Sequence, residues 1–155
     1  KRQLSHEKPR NQTALCRTRT RRNAKKNGAL SPRILATALE YAVRHLKVKD
    51  IVICGHSDCG ALKAHDTDMA GDAYIPMWIH NAREARVRIH ARLGKTASTP
   101  EEKTERKRAI EIKNIRLQIE HLRTYPLITD TERNGALEVH GLSYDLNTGI
   151  LSKIA

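Results

Sequence analysis

Aromatic side chains are scarce in this sequence: its 155 residues include no Phe, one Trp and four Tyr. A core with so few aromatic residues must be filled by Leu, Ile, Val and Ala, as in helix-rich or parallel-sheet proteins. No run of about 18 apolar residues occurs, so we expect no membrane-spanning segment. These shortages predict a single aliphatic domain, which the length also favours.

Cysteine is scarce as well, since Cys16, Cys54 and Cys59 are the three thiols of the whole sequence. Such an odd and sparse set argues against a disulfide scaffold and indicates a reducing compartment. Residues 1–10 lack the apolar stretch of a secretory signal, so we expect a cytoplasmic protein. Metal binding and plain burial remain as uses for the three thiols.

Acidic residues are nearly absent from the N-terminal region. Residues 1–33 contain eleven Lys or Arg and one acid, Glu7, whereas the rest of the chain contains eighteen basic and sixteen acidic side chains. We interpret residues 1–31 as a basic, irregular arm with one possible strand at 13–16, and residues 32–155 as an α/β domain. The arm is either a solvated tail or an electrostatic site for nucleic acid or an acidic partner. It contains no aromatic residue for base stacking, which argues against nucleic acid.

Apolar periodicity and capping signals predict the elements of the α/β domain. Ser31 and Pro32 mark the start of a helix whose apolar face continues to Leu46. The run Ile51–Cys54 is apolar on both faces, which predicts a buried parallel strand. The sequence further predicts a helix over 75–93, a capped helix from Thr99-Pro100 to about Tyr125-Pro126, a strand from Leu137 and a hairpin strand over 150–154.

A glycine-flanked turn follows the predicted buried strand and carries His56 and Cys59. In open α/β sheets, chemistry takes place just past the carboxyl ends of the strands. Zinc prefers imidazole nitrogen and thiolate sulfur in a tetrahedral shell, and a turn can present two such ligands to one ion. The spacing alone is also typical of a buried Cys beside a polar His, so it leaves both interpretations open.

A third zinc ligand must come from elsewhere in the chain, and Cys16 and Cys54 are the two candidates. We favour Cys16, at the end of the possible upstream strand, because Cys54 fits the role of a small apolar residue within its own strand. Two thiolates and one imidazole leave a fourth position for water, whose pKa zinc lowers to about 7.

Residues 54–64, Cys-Gly-His-Ser-Asp-Cys-Gly-Ala-Leu-Lys-Ala, resemble the zinc motif of the beta-class carbonic anhydrases. The segments 38–43, 112–117 and 140–149 resemble the same family in the same order, so that the match extends over about residues 35–155. The resemblance implies an α/β fold with a mostly parallel sheet flanked by helices, assembled as a homodimer or tetramer. It also implies Zn²⁺ as the cofactor and reversible hydration of carbon dioxide to bicarbonate as the reaction.

The N-terminal third departs from the family pattern, which has Cys-x-Asp-x-Arg at the end of its first strand. In the family, the Cys is a zinc ligand and the Asp and Arg form a dyad beside the metal-bound water. Here Thr18 and Thr20 follow Cys16 at the places of the Asp and the Arg. The segment Arg22-Asn23-Ala24 then follows almost at once, without the helix and strand that precede it in the family. Either the fold is truncated in its N-terminal third or the sequence omits residues there.

Three functions are compatible with these features. The first is zinc-dependent hydration of carbon dioxide, weakened by the loss of the dyad, with Asp58 as a candidate substitute carboxylate. The second is a zinc-binding relative without hydratase activity that has a structural or regulatory role. The third is a basic module whose arm binds nucleic acid or acidic partners. We predict the first function, with Cys16, His56 and Cys59 as the zinc ligands.

Overall fold

The computed structural model describes residues 32–64, 71–72, 74–94 and 96–155. The basic arm, with Cys16, Thr18 and Thr20, therefore lies outside the described residues. In chain order the elements are α1 (Pro32–Glu40), a π-helical turn (Tyr41–His45), β1 (Asp50–His56), α2 (Gly60–Lys63), α3 (Ile75–Ile79), a 3₁₀ turn (His80–Ala82), α4 (Arg83–Leu93), α5 (Pro100–Leu122), α6 (Pro126–Arg133), β2 (Glu138–Tyr144) and β3 (Leu151–Lys153).

Within the described residues, the strands form one sheet in the order β1-β2-β3. Strands β1 and β2 are parallel, and their register pairs Asp50 with Glu138 at one end and His56 with Tyr144 at the other. Strand β3 returns antiparallel to β2 through a turn at Gly149, which adopts a φ of 72° that glycine tolerates. The carboxyl ends of β1 and β2 therefore meet at the same edge of the sheet, where His56 lies.

Helix α5 packs closely against one face of this sheet. A Cβ atom at Gly55 would lie 2.7 Å from Ile115 Cγ1, and one at Gly141 would lie 2.9 Å from Ile119 Cδ1. The two glycines thus permit a helix-to-strand approach that a larger residue would prevent. The surrounding core is aliphatic, as the composition predicts, and consists of Leu39, Val43, Ile51, Ile53, Ile115, Ile119, Leu122, Ile128, Leu137 and Val139.

The start of α5 confirms its predicted capping box. The Thr99 side chain accepts a hydrogen bond from the Glu102 N–H at 3.2 Å, and the Glu102 carboxylate accepts the Thr99 N–H at 3.3 Å. Hydrogen bonds from the backbone N–H groups of Ser98 and Thr99 lower the pKa of Glu102. Sequence-encoded capping therefore fixes the start of the helix that packs behind the sheet.

The structure adds detail to three of the predicted helices. The helix predicted over 75–93 is interrupted by the 3₁₀ turn, where the Asn81 side chain donates to the Trp78 carbonyl at 2.8 Å and competes with the helical pattern. The first helix ends in a π-helical turn, in which the Leu46 N–H donates to the Tyr41 carbonyl at 3.0 Å. The helix from Pro100 ends at Leu122, close to its predicted end, and Pro126 then opens α6, which the sequence did not predict, since proline is well tolerated in the first helical turn.

The predicted fold class is confirmed as α/β, with a small mixed sheet against which helices pack. One of the two strand pairings in the described part of the chain is parallel, and the other is the predicted hairpin. Among the helices of the described residues, none has the length and apolar character needed to cross a bilayer.

Candidate metal centre

The predicted site residues lie at the carboxyl end of β1 and in the turn that follows it. His56 is the last residue of the strand and is exposed, whereas Cys59 is half-buried and immediately precedes α2. Between them, Asp58 adopts a φ of 59°, a left-handed conformation that Asp tolerates better than most residues. This conformation reverses the chain, so that a histidine and a cysteine border the same short turn.

The His56 imidazole is oriented by a backbone carbonyl. Its Nδ1 lies 2.8 Å from the Ser57 carbonyl oxygen. Because a carbonyl oxygen can only accept, Nδ1 must carry the hydrogen and donate it, which leaves the lone pair of Nε2 available. Metal-binding histidines in proteins usually have their second ring nitrogen bonded in this way, since the bond fixes the tautomer and the orientation of the ring. His56 therefore fits the role of a zinc ligand through Nε2.

The Cys59 backbone is held by a buried carboxylate. Its N–H donates to Glu111 Oε1 at 3.2 Å, and the Glu111 side chain on α5 is 4% exposed. Arg108 Nη1 lies 3.8 Å from the other carboxylate oxygen and compensates part of the buried charge. The Cys59 carbonyl in turn accepts the Lys63 N–H at 3.1 Å, which starts α2. The turn is thus tied on one side to α5 and on the other to α2.

Ser57 joins the turn to the β2–β3 hairpin. Its side chain is 8% exposed, its N–H donates to the Tyr144 carbonyl at 2.8 Å, and its Oγ accepts the Leu146 N–H at 2.8 Å. In the hairpin, hydrogen bonds from the Thr148 and Asn147 N–H groups lower the pKa of Asp145. The carbonyl that orients His56 is therefore itself fixed by two hydrogen bonds to a neighbouring strand and turn.

Asp58, the candidate substitute carboxylate, is engaged by two lysines. Its Oδ1 lies 2.7 Å from Lys63 Nζ and also contacts Lys107 Nζ on α5. Both lysines stabilise the ionised carboxylate. The Asp58 side chain is about half exposed, with a relative accessibility of 52%. This arrangement explains how the turn accommodates a charged residue beside Cys59.

The described residues alone do not complete a three-ligand zinc site at His56. In these ranges the single group of three ligand atoms within 4.8 Å of one another is Asp50, Glu138 and His140, at the amino ends of β1 and β2. Cys54 therefore forms no such group with His56 and Cys59, and its Sγ lies 3.6 Å from the Gly55 carbonyl oxygen. The preferred third ligand, Cys16, lies outside the described residues.

Glu111 was missed at the level of sequence, although a signal for it exists. Glu111, Ile115, Gln118 and Leu122 follow one another at helical spacing, and all four are buried on α5. A carboxylate on an otherwise apolar stripe must have polar partners when it is buried. The apolar residues of this helix alone, Ile112, Ile115, Ile119 and Leu122, predict a stripe that begins at Ile112, which is half-buried in the structure. Reading the stripe one residue earlier would have identified Glu111.

We expect replacement of Glu111 to loosen the turn that carries Cys59. Glu111→Ala removes the acceptor of the partly buried Cys59 N–H, which should lower the free energy of unfolding by about 1 kcal/mol. Glu111→Gln keeps an oxygen at the same place and should recover most of that loss. Urea unfolding of both variants measures the difference. If both variants lose the same free energy of unfolding, the Glu111 charge contributes to stability and its hydrogen bond to the Cys59 N–H does not.

Comparison with known proteins places the chain in a family. The family described as carbonic anhydrase matches residues 15–151. The carbonic anhydrase of Pseudomonas aeruginosa is 34% identical over 117 residues, which are 74% of this chain and 50% of that protein. Carbonic anhydrase 1 of Escherichia coli O157:H7 is 33% identical over 121 residues, which are 76% of this chain and 52% of that protein.

Solved structures agree with the sequence comparison. A tetrameric beta-carbonic anhydrase of Sordaria macrospora matches with a TM-score of 0.67 and 29% identity, over 81% of this chain and 61% of that one. The Coccomyxa beta-carbonic anhydrase, solved in complex with acetazolamide, matches with a TM-score of 0.64 and 29% identity, over 76% of this chain and 52% of that one.

The fold and the motifs around His56 are thus those of the beta-class carbonic anhydrase family. The chain belongs to the carbonic anhydrase family, as the resemblance at residues 54–64 predicted. It spans about half the length of the curated relatives that it matches.

Proposed function

We propose that this protein catalyses the zinc-dependent, reversible hydration of carbon dioxide to bicarbonate and a proton. Family membership favours this reaction, and the observation that carries the proposal is the oriented imidazole of His56 at the end of a parallel strand. The family match begins at residue 15 and so includes Cys16. The scarcity of cysteine favours a reducing compartment, and on that ground we propose a cytoplasmic location.

Three residues would hold the zinc ion in this proposal. His56 would bind through Nε2, Cys59 through its thiolate, and Cys16 would be the third ligand. This donor set of one nitrogen and two sulfurs fits zinc. The hydrogen bond from His56 Nδ1 to the Ser57 carbonyl orients the imidazole, as is usual for zinc-binding histidines. When bound, zinc acts as a Lewis acid that makes water a usable nucleophile near neutral pH.

Ser57 and Glu111 act by positioning the proposed ligands. The Ser57 carbonyl fixes the imidazole of His56, while Glu111 holds the backbone at Cys59. Neither Thr18 nor Thr20 can replace the carboxylate and the guanidinium of the family dyad, since a hydroxyl carries no charge at neutral pH. We therefore propose slow hydration, because the water and the carbon dioxide are less well oriented than in a complete family site.

Metal analysis combined with a carbon dioxide hydration assay tests the proposed function. A protein that retains zinc and hydrates carbon dioxide above the rate of its His56→Ala variant supports the proposal. A protein that retains zinc but shows no difference from the variant is instead a zinc-binding relative without hydratase activity. Both measurements use the full chain, because the arm that carries Cys16 is part of the proposed site.

We also propose that the chain assembles as a homodimer or tetramer. The β2–β3 hairpin exposes large apolar side chains, including Leu146 at 53%, Ile150 at 60% and Leu151 at 54%. Apolar patches of this kind commonly mark protein interfaces, and a second copy of the chain is the usual partner. The relative from Sordaria macrospora is described as tetrameric.

Sedimentation should accordingly give a mass at least twice the 17.5 kDa of one chain. Ile150→Lys should shift the distribution towards the monomer, because it places a charge within the apolar hairpin surface. Val87→Lys is the matched control, since Val87 is also exposed, at 55%, but lies on α4. A parent protein that sediments only as a monomer at micromolar concentration would contradict this proposal.

A further inference from the structure

A basic cavity lies beside Cys59, between α2, α4 and α5. Its volume is about 470 Å³, which is within the range of small-molecule sites. Apolar side chains from Leu62, Ala97 and Ile110 contribute to its walls. The charged part of the lining comes from five cationic residues, Lys63, Arg86, Lys103, Arg106 and Lys107.

The charge of this cavity is only partly compensated. No Asp or Glu of the described residues lines it. Asp58 pairs with Lys63 and Lys107 from outside the lining. In the described part of the chain, Lys103 and Arg106 have no carboxylate partner. Several cations that converge on one concave surface raise the local concentration of anions.

Arg106 provides a second, independent observation. Its Nη2 atom is buried and has no hydrogen-bond partner among the described residues. A buried donor of a charged group without a partner is costly, and such groups in native proteins usually mark the place of an unseen polar partner. Arg106 lines the cavity, so an anion there would meet its guanidinium, and a rotation of that group would bring the unpartnered Nη2 donor to the anion.

We propose that this cavity binds a phosphate group, either as inorganic phosphate or as the charged part of a small phosphorylated metabolite. The planar guanidinium of Arg106 presents paired donors that match a tetrahedral oxyanion, and Lys103 adds a mobile positive charge. The ligand is held by α5 side chains and needs no metal, so the proposal does not depend on carbon dioxide hydration.

Titration calorimetry of the full chain at low ionic strength, with inorganic phosphate and with ribose 5-phosphate, tests this site. Arg106→Gln should raise the dissociation constant about tenfold or more, because it removes charge-assisted hydrogen bonds. Arg116→Gln is the matched control, since Arg116 is exposed on the same helix and does not line the cavity. Arg116→Gln changes the net charge by the same amount as Arg106→Gln, and it should alter the dissociation constant by less than about twofold.

The two probes separate the possible sources of the ligand. If ribose 5-phosphate binds more tightly than inorganic phosphate, the ligand is a phosphorylated metabolite that also contacts the apolar walls. If the two probes bind equally, the ligand is phosphate itself. No binding of either probe, or equal losses in the Arg106 and Arg116 variants, would overturn the proposal. His56→Ala should bind both probes as the parent does. Loss of binding in that variant would place the anion at the proposed zinc ion, and would likewise overturn the cavity site.

Discussion

His56→Ala should reduce the bound zinc from about one ion per chain to an undetectable amount. The imidazole is the only nitrogen ligand in the proposed set, and its Nδ1 bond to the Ser57 carbonyl leaves Nε2 for the metal. Two thiolates alone would not retain the ion against dialysis, because two protein ligands do not make a closed or catalytic zinc shell. Elemental analysis of the dialysed protein measures the effect.

Two control variants distinguish the proposed ligands from their neighbours. Cys54→Ser should retain zinc, because Cys54 forms no three-ligand group with His56 and Cys59 in the described residues. His140→Ala should also retain it, since His140 lies at the opposite end of the strands and bonds to Asp50 at 2.9 Å. Release of zinc by Cys54→Ser would show that Cys16 is the wrong third ligand. Release of zinc by His140→Ala would indicate that the metal binds at the group of Asp50, Glu138 and His140 instead.

Restoring the family dyad should produce the largest gain in rate. Loss of one positioned acid–base group costs about 10²–10⁴ in rate, so we expect the double variant Thr18→Asp with Thr20→Arg to recover part of that factor. A carboxylate can accept a hydrogen bond from the attacking water, and a guanidinium can hold the carboxylate in place through two parallel bonds. Stopped-flow assays of carbon dioxide hydration compare the double variant with the parent.

The control for this experiment places the same two charges further upstream. Asn11→Arg with Thr13→Asp adds one charge of each sign to the arm and should leave the rate unchanged. A parent chain that already works at the rate of a fast zinc hydratase would refute the dyad argument. A double variant that binds zinc but hydrates no faster would show that the segment is not beside the metal. In that case the assignment of Cys16 as a ligand fails with it.

Local signals predicted the elements that position the site. The apolar run before His56 forms β1, as predicted. A short run that is apolar on both faces suits a strand whose sheet is covered by packed elements. Thr99 and Glu102 formed the capping box that the sequence encodes. In these segments local preference and tertiary packing favour the same structure, so the sequence was sufficient.

Contacts between distant segments were not predictable in the same way. The pairing of Cys59 with Glu111 joins residues 52 positions apart, and no periodicity indicates which buried N–H a carboxylate will meet. The bond between Ser57 and Leu146 spans 89 positions and depends on the parallel register of β1 and β2. The glycine-flanked turn and its resemblance to a family motif made His56 and Cys59 the predicted ligands, but the residues that hold them in place required the three-dimensional structure.

Zinc K-edge X-ray absorption tests the central claim most directly, because it identifies the atoms bound to the metal. Ligation by Cys16, His56 and Cys59 predicts two sulfur scatterers at about 2.3 Å and one nitrogen at about 2.0–2.1 Å. Loss of one sulfur scatterer in the Cys59→Ser variant would show that the Cys59 sulfur is one of the zinc ligands. A spectrum of the parent protein with only nitrogen and oxygen scatterers would contradict the account, and would point to the group of Asp50, Glu138 and His140.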